Sequence, residues 1–173
     1  MNYFELFGLP TQFELDGSLL SSQFRELQKQ YHPDNFAAQS DQAKLIAVQK
    51  AAEINDAYRV LKSPAARAEY LLQLQGIDLQ GETQTMQDMD FLIQQMELRE
   101  TLEALESRGS DAQDELMEFD GRVSRMHREQ LASVAQQLEK QAYSDCAVSV
   151  RKLKFIAKLK EEIARVEDKF FDM

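Results

Sequence analysis

A chain of 173 residues is long enough to bury a core, as one domain or as two small ones. Its net charge of −10 argues against nucleic acid or an anionic membrane surface as the main partner. The single cysteine, Cys146, allows no internal disulfide and cannot supply the thiolate set of a zinc or iron–sulfur site.

The N-terminus enters structure at once, without the pattern of a signal or transit peptide, and no apolar run approaches a membrane span. With one thiol and no leader, a reduced, cytoplasmic setting is expected. Acid is unevenly placed. Residues 1–75 carry seven basic against nine acidic side chains, and residues 76–173 carry thirteen against twenty-one. Three prolines, six glycines and no alternating strand pattern predict an all-α protein.

Asn2 is positioned to cap a short first helix reaching about Phe7, which Gly8 and Pro10 end. Asp16 caps a second helix over about 17–31, where Leu20, Phe24, Leu27 and Tyr31 mark one apolar face. Pro33 disfavours helical geometry at His32 and closes it. A third helix is predicted from about Asp41 to Lys62, with Ala47, Ala51, Ile54, Tyr58 and Leu61 in register. The segment Tyr31-His32-Pro33-Asp34-Asn35-Phe36 thus lies at the tip of a helical hairpin, an imidazole and a carboxylate on a stiff connector. Arg25 and Lys29 stand at i, i+4 on the hairpin face away from the apolar stripe. Taken alone, His-Pro-Asp is also ordinary turn chemistry.

Ser63 caps a fourth helix with Pro64 at its favoured first position, and Gly76 ends it. Residues 76–85, with two glycines among polar side chains, read as a linker between a domain of residues 1–75 and one of residues 86–173. Three further helices are predicted: about Met86 to Ser107, about Ala112 to Gln141, and one capped by Ser144 that runs to the C-terminus. Gly121 inside the sixth costs about 1 kcal/mol against alanine, which leaves a bend or break there open. Short connections and three–four apolar spacing predict an antiparallel three-helix bundle.

Nothing marks an enzyme. The chain has no Gly-rich phosphate loop and no nucleophile with a recognisable base. Its two histidines, His32 and His127, lack ligand partners at metal spacing, so neither a metal nor a cofactor is expected; His127 reads as exposed. The fifth helix is the informative one. At 100° per residue Phe91, Leu98, Leu102 and Leu105 share a narrow arc and face the bundle, while Met89, Leu92, Ile93 and Met96 point away beside Glu97, Glu100 and Glu103. That second face either packs elsewhere in the molecule or is a partner site.

These residues carry a resemblance. Tyr3-Phe4, Leu6-Phe7-Gly8-Leu9, Tyr31-His32-Pro33-Asp34, Ile54-Asn55-Asp56-Ala57-Tyr58, Leu61, Ser63-Pro64, Arg67 and Tyr70 resemble a J-domain, the module that stimulates ATP hydrolysis by DnaK-type chaperones. Over its whole length, including Phe91-Leu92 to Leu98-Arg99-Glu100, the chain is similar to the HscB family of iron–sulfur-assembly co-chaperones.

The resemblance implies that His32, Pro33 and Asp34 dock on a dedicated HscA-like DnaK-type chaperone, with Arg25 and Lys29 steering. It further implies that Leu92, Ile93, Met96, Glu97 and Glu100, with Phe155 of the last helix, hold the scaffold protein IscU. The chain departs from the usual pattern at Asn35, where a lysine is common, and at Glu26 and Gln28, which thin the basic face. At Ala104 the family can carry an acid. Two rival readings are a J-domain protein serving a general DnaK chaperone with a different client, and a purely structural helical protein.

Overall fold

The computed structural model describes residues 1–79 and 88–172. Its helices are α1 (Tyr3–Leu6), α2 (Gly17–Gln30), α3 (Asp41–Lys62), α4 (Pro64–Leu74), α5 (Met89–Arg108), α6 (Gln113–Glu139) and α7 (Tyr143–Phe171). Single 3-10 turns occupy Pro33–Phe36 and Gly109–Ala112, and no strand occurs among the described residues. The chain divides into two compact units, Met1–Leu74 and Gln75–Met173. Residues 80–85 of the expected linker lie outside the described residues, as do Met86 and Gln87 at the expected start of the fifth helix.

The helix starts in the first unit follow from side-chain caps that satisfy otherwise unpaired amides. Asn2 accepts from the Glu5 amide, Asp16 from those of Ser18 and Leu19, Ser40 from that of Ala43, and Ser63 from that of Ala66. Helix α1 ends in a Schellman turn: the Leu9 amide donates to Phe4 and the Gly8 amide to Glu5, with Gly8 at φ +66°. A side chain there would be strained, which favours glycine.

Phe4, Phe7, Leu9, Leu20, Ile54, Ala57 and Leu61 form the core of this unit. Phe24 stacks on Tyr58 at 3.9 Å, while Lys50 lies over Tyr31 at 6.0 Å. These pairings run in opposite directions along the two chains, so α2 and α3 are antiparallel and the His-Pro-Asp segment is at their shared end. Arg67 reaches back from α4 to donate to the Leu61 carbonyl at 2.7 Å and lies over Phe13 at 5.0 Å. Tyr70 accepts from the Tyr3 amide at 3.0 Å and stacks on its ring. Burial pushes the Arg67 guanidinium below its usual value, but an arginine so placed stays charged.

In the second unit α5 starts behind Asp88, which accepts from the Phe91 amide at 3.0 Å. Leu98, Leu102 and Leu105 of α5 meet Leu116, Phe119 and Val123 of α6 and Ile156, Leu159, Ile163, Val166 and Phe170 of α7 in one core. The seam between α5 and α7 carries a ladder of ion pairs: Asp88–Lys152 at 3.7 Å, Arg99–Glu162 at 2.7 Å, and Glu106 with Arg165 at 3.4 Å and Lys169 at 3.3 Å. Both helices ascend together through these pairs, so α5 and α7 are parallel. Within this ladder the sign alternates along each helix, so a slide of one rung would set like charges opposite each other.

One sequence expectation changes, and one open point is answered. Helix α7 is not capped by Ser144. Helix α6 closes in a second Schellman turn, in which the Ala142 amide donates to Gln137 and the Gln141 amide to Leu138, with Gln141 at φ +57°. That reversal lets α7 begin at Tyr143, and its cap position, Ala142, has no side-chain bond to give. Gly121 does not interrupt α6, which is continuous from Gln113 to Glu139.

A methyl group at Gly121 would meet nothing within 4 Å. Gly121→Ala should therefore stabilise the bundle by about 0.5–1 kcal/mol through helix propensity alone, read as a higher midpoint in urea unfolding followed by circular dichroism. A lower midpoint would contradict this account of α6.

Candidate functional site

The loop at the hairpin tip is built by proline. Helix α2 stops at Tyr31, and His32, before Pro33, is extended at φ −62°, ψ 133°. Pro33 then opens a 3-10 turn in which the Asn35 amide donates to the His32 carbonyl at 2.9 Å. The His32 ring caps that turn: its Nδ1 accepts from the Asp34 amide at 3.2 Å. An accepting Nδ1 carries no proton, so the neutral ring holds its hydrogen on Nε2. The side chain of Asn35 donates through Nδ2 to the Lys29 carbonyl, fastening the loop to the last turn of α2. Asn35 thus caps the last turn of α2.

The result is a rigid loop with a free acid at its end. Asp34 lies 3.6 Å from the His32 ring, yet its side chain is 92% exposed and keeps nearly all of its acceptor capacity. Arg25, Lys29, His32 and Asp34 line one open depression, together with Gln28 and Asn35. Four of the five residues singled out from the sequence at this end are thereby brought together; Pro33 shapes the loop instead. Gln28 joins because it sits one helical turn from Arg25 on the same face, a spacing that was legible. Lys29 is partly engaged with Glu26 at 3.8 Å, an exposed pair of little strength.

A second feature lies on α5. Phe91, Leu98, Leu102 and Leu105 are buried, whereas Leu92, Ile93 and Met96 are 38%, 49% and 56% exposed, and Met89 is open as well. Glu97 and Glu100 are exposed beside them. Phe155 is half-buried rather than open. It packs against the bundle core and meets Phe91 edge to face at 5.9 Å and 87°. Two cations flank this aromatic pair: Lys152 over Phe91 at 5.6 Å and Arg99 over Phe155 at 5.1 Å. Sequence periodicity did not reveal those flanks, because they join side chains about sixty positions apart.

The other polar candidates do not form a site. His127 is half-buried, not exposed, and burial followed by repulsion from Lys160 lowers its pKa. Cys146 is buried and its thiol is pushed up to about 11, so it is a thiol and not a thiolate at neutral pH. Among the described residues no group of three or more His, Cys, Asp or Glu side chains could hold a metal ion, and no helix is long and apolar enough to cross a membrane.

A helical hairpin with this loop at its tip is the signature of one class. The DnaJ domain model matches residues 2–70, so the chain is a J-domain protein whose second unit is a helical bundle. The model of the HscB C-terminal oligomerisation domain matches residues 87–164. A co-chaperone HscB homolog of Vibrio vulnificus is 63% identical, covering 99% of both chains. The solved structure of chaperone HscB from Vibrio cholerae superposes with a TM-score of 0.89 at 57% identity, covering 98% of this chain and 99% of that one. Human co-chaperone HscB gives 0.84 at 26% identity over 95% and 81%. The chain belongs to the HscB family, the J-domain co-chaperones that partner an HscA-type chaperone of the DnaK class in iron–sulfur cluster assembly.

The His127 environment has a consequence for stability. Its folded-state pKa lies below the ordinary value of 6.5, so the unfolded chain binds the proton more readily. Stability should then fall as pH drops through 6.5 towards the folded-state value, and His127→Gln should flatten that part of the profile. Thermal melts between pH 7.5 and 5 test this; an unchanged slope in the variant would count against it.

Proposed function

We propose that this chain is a cytoplasmic adaptor with no catalytic chemistry of its own, which engages its chaperone through the hairpin tip and its client through the bundle. His32, Pro33 and Asp34 form the chaperone contact, and Arg25 and Lys29 orient the approach to an acidic surface. The exposed carboxylate of Asp34 carries this reading. A carboxylate held at a rigid tip, with most of its acceptor sites unused, suits an arginine of the ATPase, and such a charge-assisted pair is strong once water is excluded. The His32 ring and the Asn35 side chain contribute by fixing the loop, so little ordering entropy is lost on docking.

The client is an IscU-like iron–sulfur scaffold, held by Leu92, Ile93, Met96, Glu97 and Glu100 of α5 with Phe155 at the edge. An apolar stripe on a helix that already buries a different face is poorly explained by folding, and its acidic rim both keeps it soluble and selects a basic partner surface. Presenting the scaffold while the J-domain stimulates ATP hydrolysis couples client loading to nucleotide state. The functional division follows residues 1–75, a linker over 76–85, and residues 86–173.

Two measurements test the two halves. Asp34→Asn should abolish stimulation of a purified HscA-like ATPase in single-turnover assays, with the circular dichroism melt within about 0.5 kcal/mol of the parent because the side chain is exposed. Full stimulation by this folded variant would refute the docking role. The triple change Leu92→Ala, Met96→Ala and Phe155→Ala should weaken binding of a purified IscU-type scaffold by more than about 2 kcal/mol. Leu92→Ala and Met96→Ala alone should leave stability nearly unchanged, since core positions would lose about 2–5 kcal/mol each. Normal scaffold affinity in the triple variant would show that the client binds elsewhere.

A further inference from the structure

Half-burial of Phe155 raises a question that the scaffold reading leaves open: what holds its ring at the edge of the α5 stripe. The ring is fixed on two sides. Phe91, itself buried, meets it edge to face at 5.9 Å. On the other side the Arg99 guanidinium sits 5.1 Å from the ring centroid and donates to Glu162 Oε2 at 2.7 Å. Arg99 and Glu162 are partly buried, with side chains 40% and 26% exposed, about as shielded as the Asp88–Lys152 pair of the same seam.

Arg99 thus meets two groups of α7 at once, the Glu162 carboxylate and the Phe155 ring, as an arginine can when it bonds an acid and lies over an aromatic. Lys152, another cation of this seam, lies over Phe91 and pairs with Asp88. Along α5, Leu92 lies between Asp88 and Arg99 on the side towards α7, since residues 88, 92, 95 and 99 follow one ridge of the helix. The Arg99–Glu162 pair therefore stands at the border of the exposed stripe and not inside it.

We infer that Arg99, tethered by Glu162, is a positioning residue that holds the Phe155 ring at the edge of the client-docking stripe, and so sets the shape of that surface. This rests on the scaffold-docking reading of Leu92, Met96 and Phe155. Without the tether the ring is free to turn about χ1 into the space the guanidinium vacates. The apolar surface then loses its border next to Leu92, although every apolar residue is still present.

The test is a double-mutant cycle on the full chain, with binding of a purified IscU-type scaffold read by titration calorimetry. Arg99→Ala and Glu162→Ala should each weaken binding roughly fivefold, the scale of a lost stacking contact. In a Phe155→Ala background Arg99→Ala should change affinity by less than about twofold, because the residue it positions is gone. The ring resonances of Phe155, identified from the Phe155→Ala spectrum, should shift in both single variants before any scaffold is added, while the melting profile stays cooperative. Equal weakening in both backgrounds would mean that Arg99 touches the scaffold itself, and would overturn the positioning role. So would unshifted Phe155 resonances, or unweakened binding by Arg99→Ala when Leu92→Ala does weaken it. Parent-like binding by Leu92→Ala would instead remove the docking reading, and this inference with it, so the two failures are told apart.

Discussion

Pro33 has no amide hydrogen and crowds the residue before it, and the loop at the hairpin tip of the first unit follows from that one constraint. His32 is forced out of helical geometry, α2 ends at Tyr31, and the chain must turn where the hairpin places it. The turn and the end of α2 then leave backbone groups unpaired, and the residues at hand satisfy them: the His32 ring accepts from the Asp34 amide, and the Asn35 side chain donates to the Lys29 carbonyl. What is left without a strong internal partner is the Asp34 carboxylate. The same local bonds that stiffen the loop leave its acid exposed.

In the bundle the decisive feature is the use of two faces of one helix. Helix α5 commits Phe91, Leu98, Leu102 and Leu105 to the core and leaves Leu92, Ile93 and Met96 in water. Exposed apolar area of this kind brings no folding energy, since only burial removes it from solvent. Its neighbours limit the harm: Glu97 and Glu100 oppose self-association, as does the net charge of the whole chain. The ion-pair ladder between α5 and α7 adds register. Each pair is partly exposed and worth little alone, but the alternation of sign along the seam penalises a shifted alignment. Register matters here because the aromatic pair Phe91–Phe155 is made from both helices.

The two units meet different demands by the same means. Each buries an apolar seam between helices and keeps one small polar or amphipathic element outside its core. Tyr70 and Arg67 illustrate the core side. They close the first unit by satisfying the Tyr3 amide and the Leu61 carbonyl, far along the sequence from the loop.

The helices were legible because local chemistry determines them: caps at Asn2, Asp16 and Ser63, a proline at 33, a glycine at 8, and apolar residues at three–four spacing. The buried arc of α5 and the position of the loop follow from the same periodicity. Where a local signal had a competitor, sequence was insufficient. Ser144 looked like a cap, but the α6–α7 reversal through Gln141 brought Tyr143 into the helix first. His127 was polar among polar residues, and only the packing of α7 against α6 placed Lys160 beside it and took it partly out of water. The setting of Phe155 belongs to the same class. Its ring is held by Phe91 and by an arginine tied to Glu162, contacts spanning some sixty residues, and no periodicity within one helix encodes which side chain of another will face it. Sequence determined the elements and which face of each is apolar; tertiary structure decided which groups meet across them, because that depends on the register and direction in which separate helices pack.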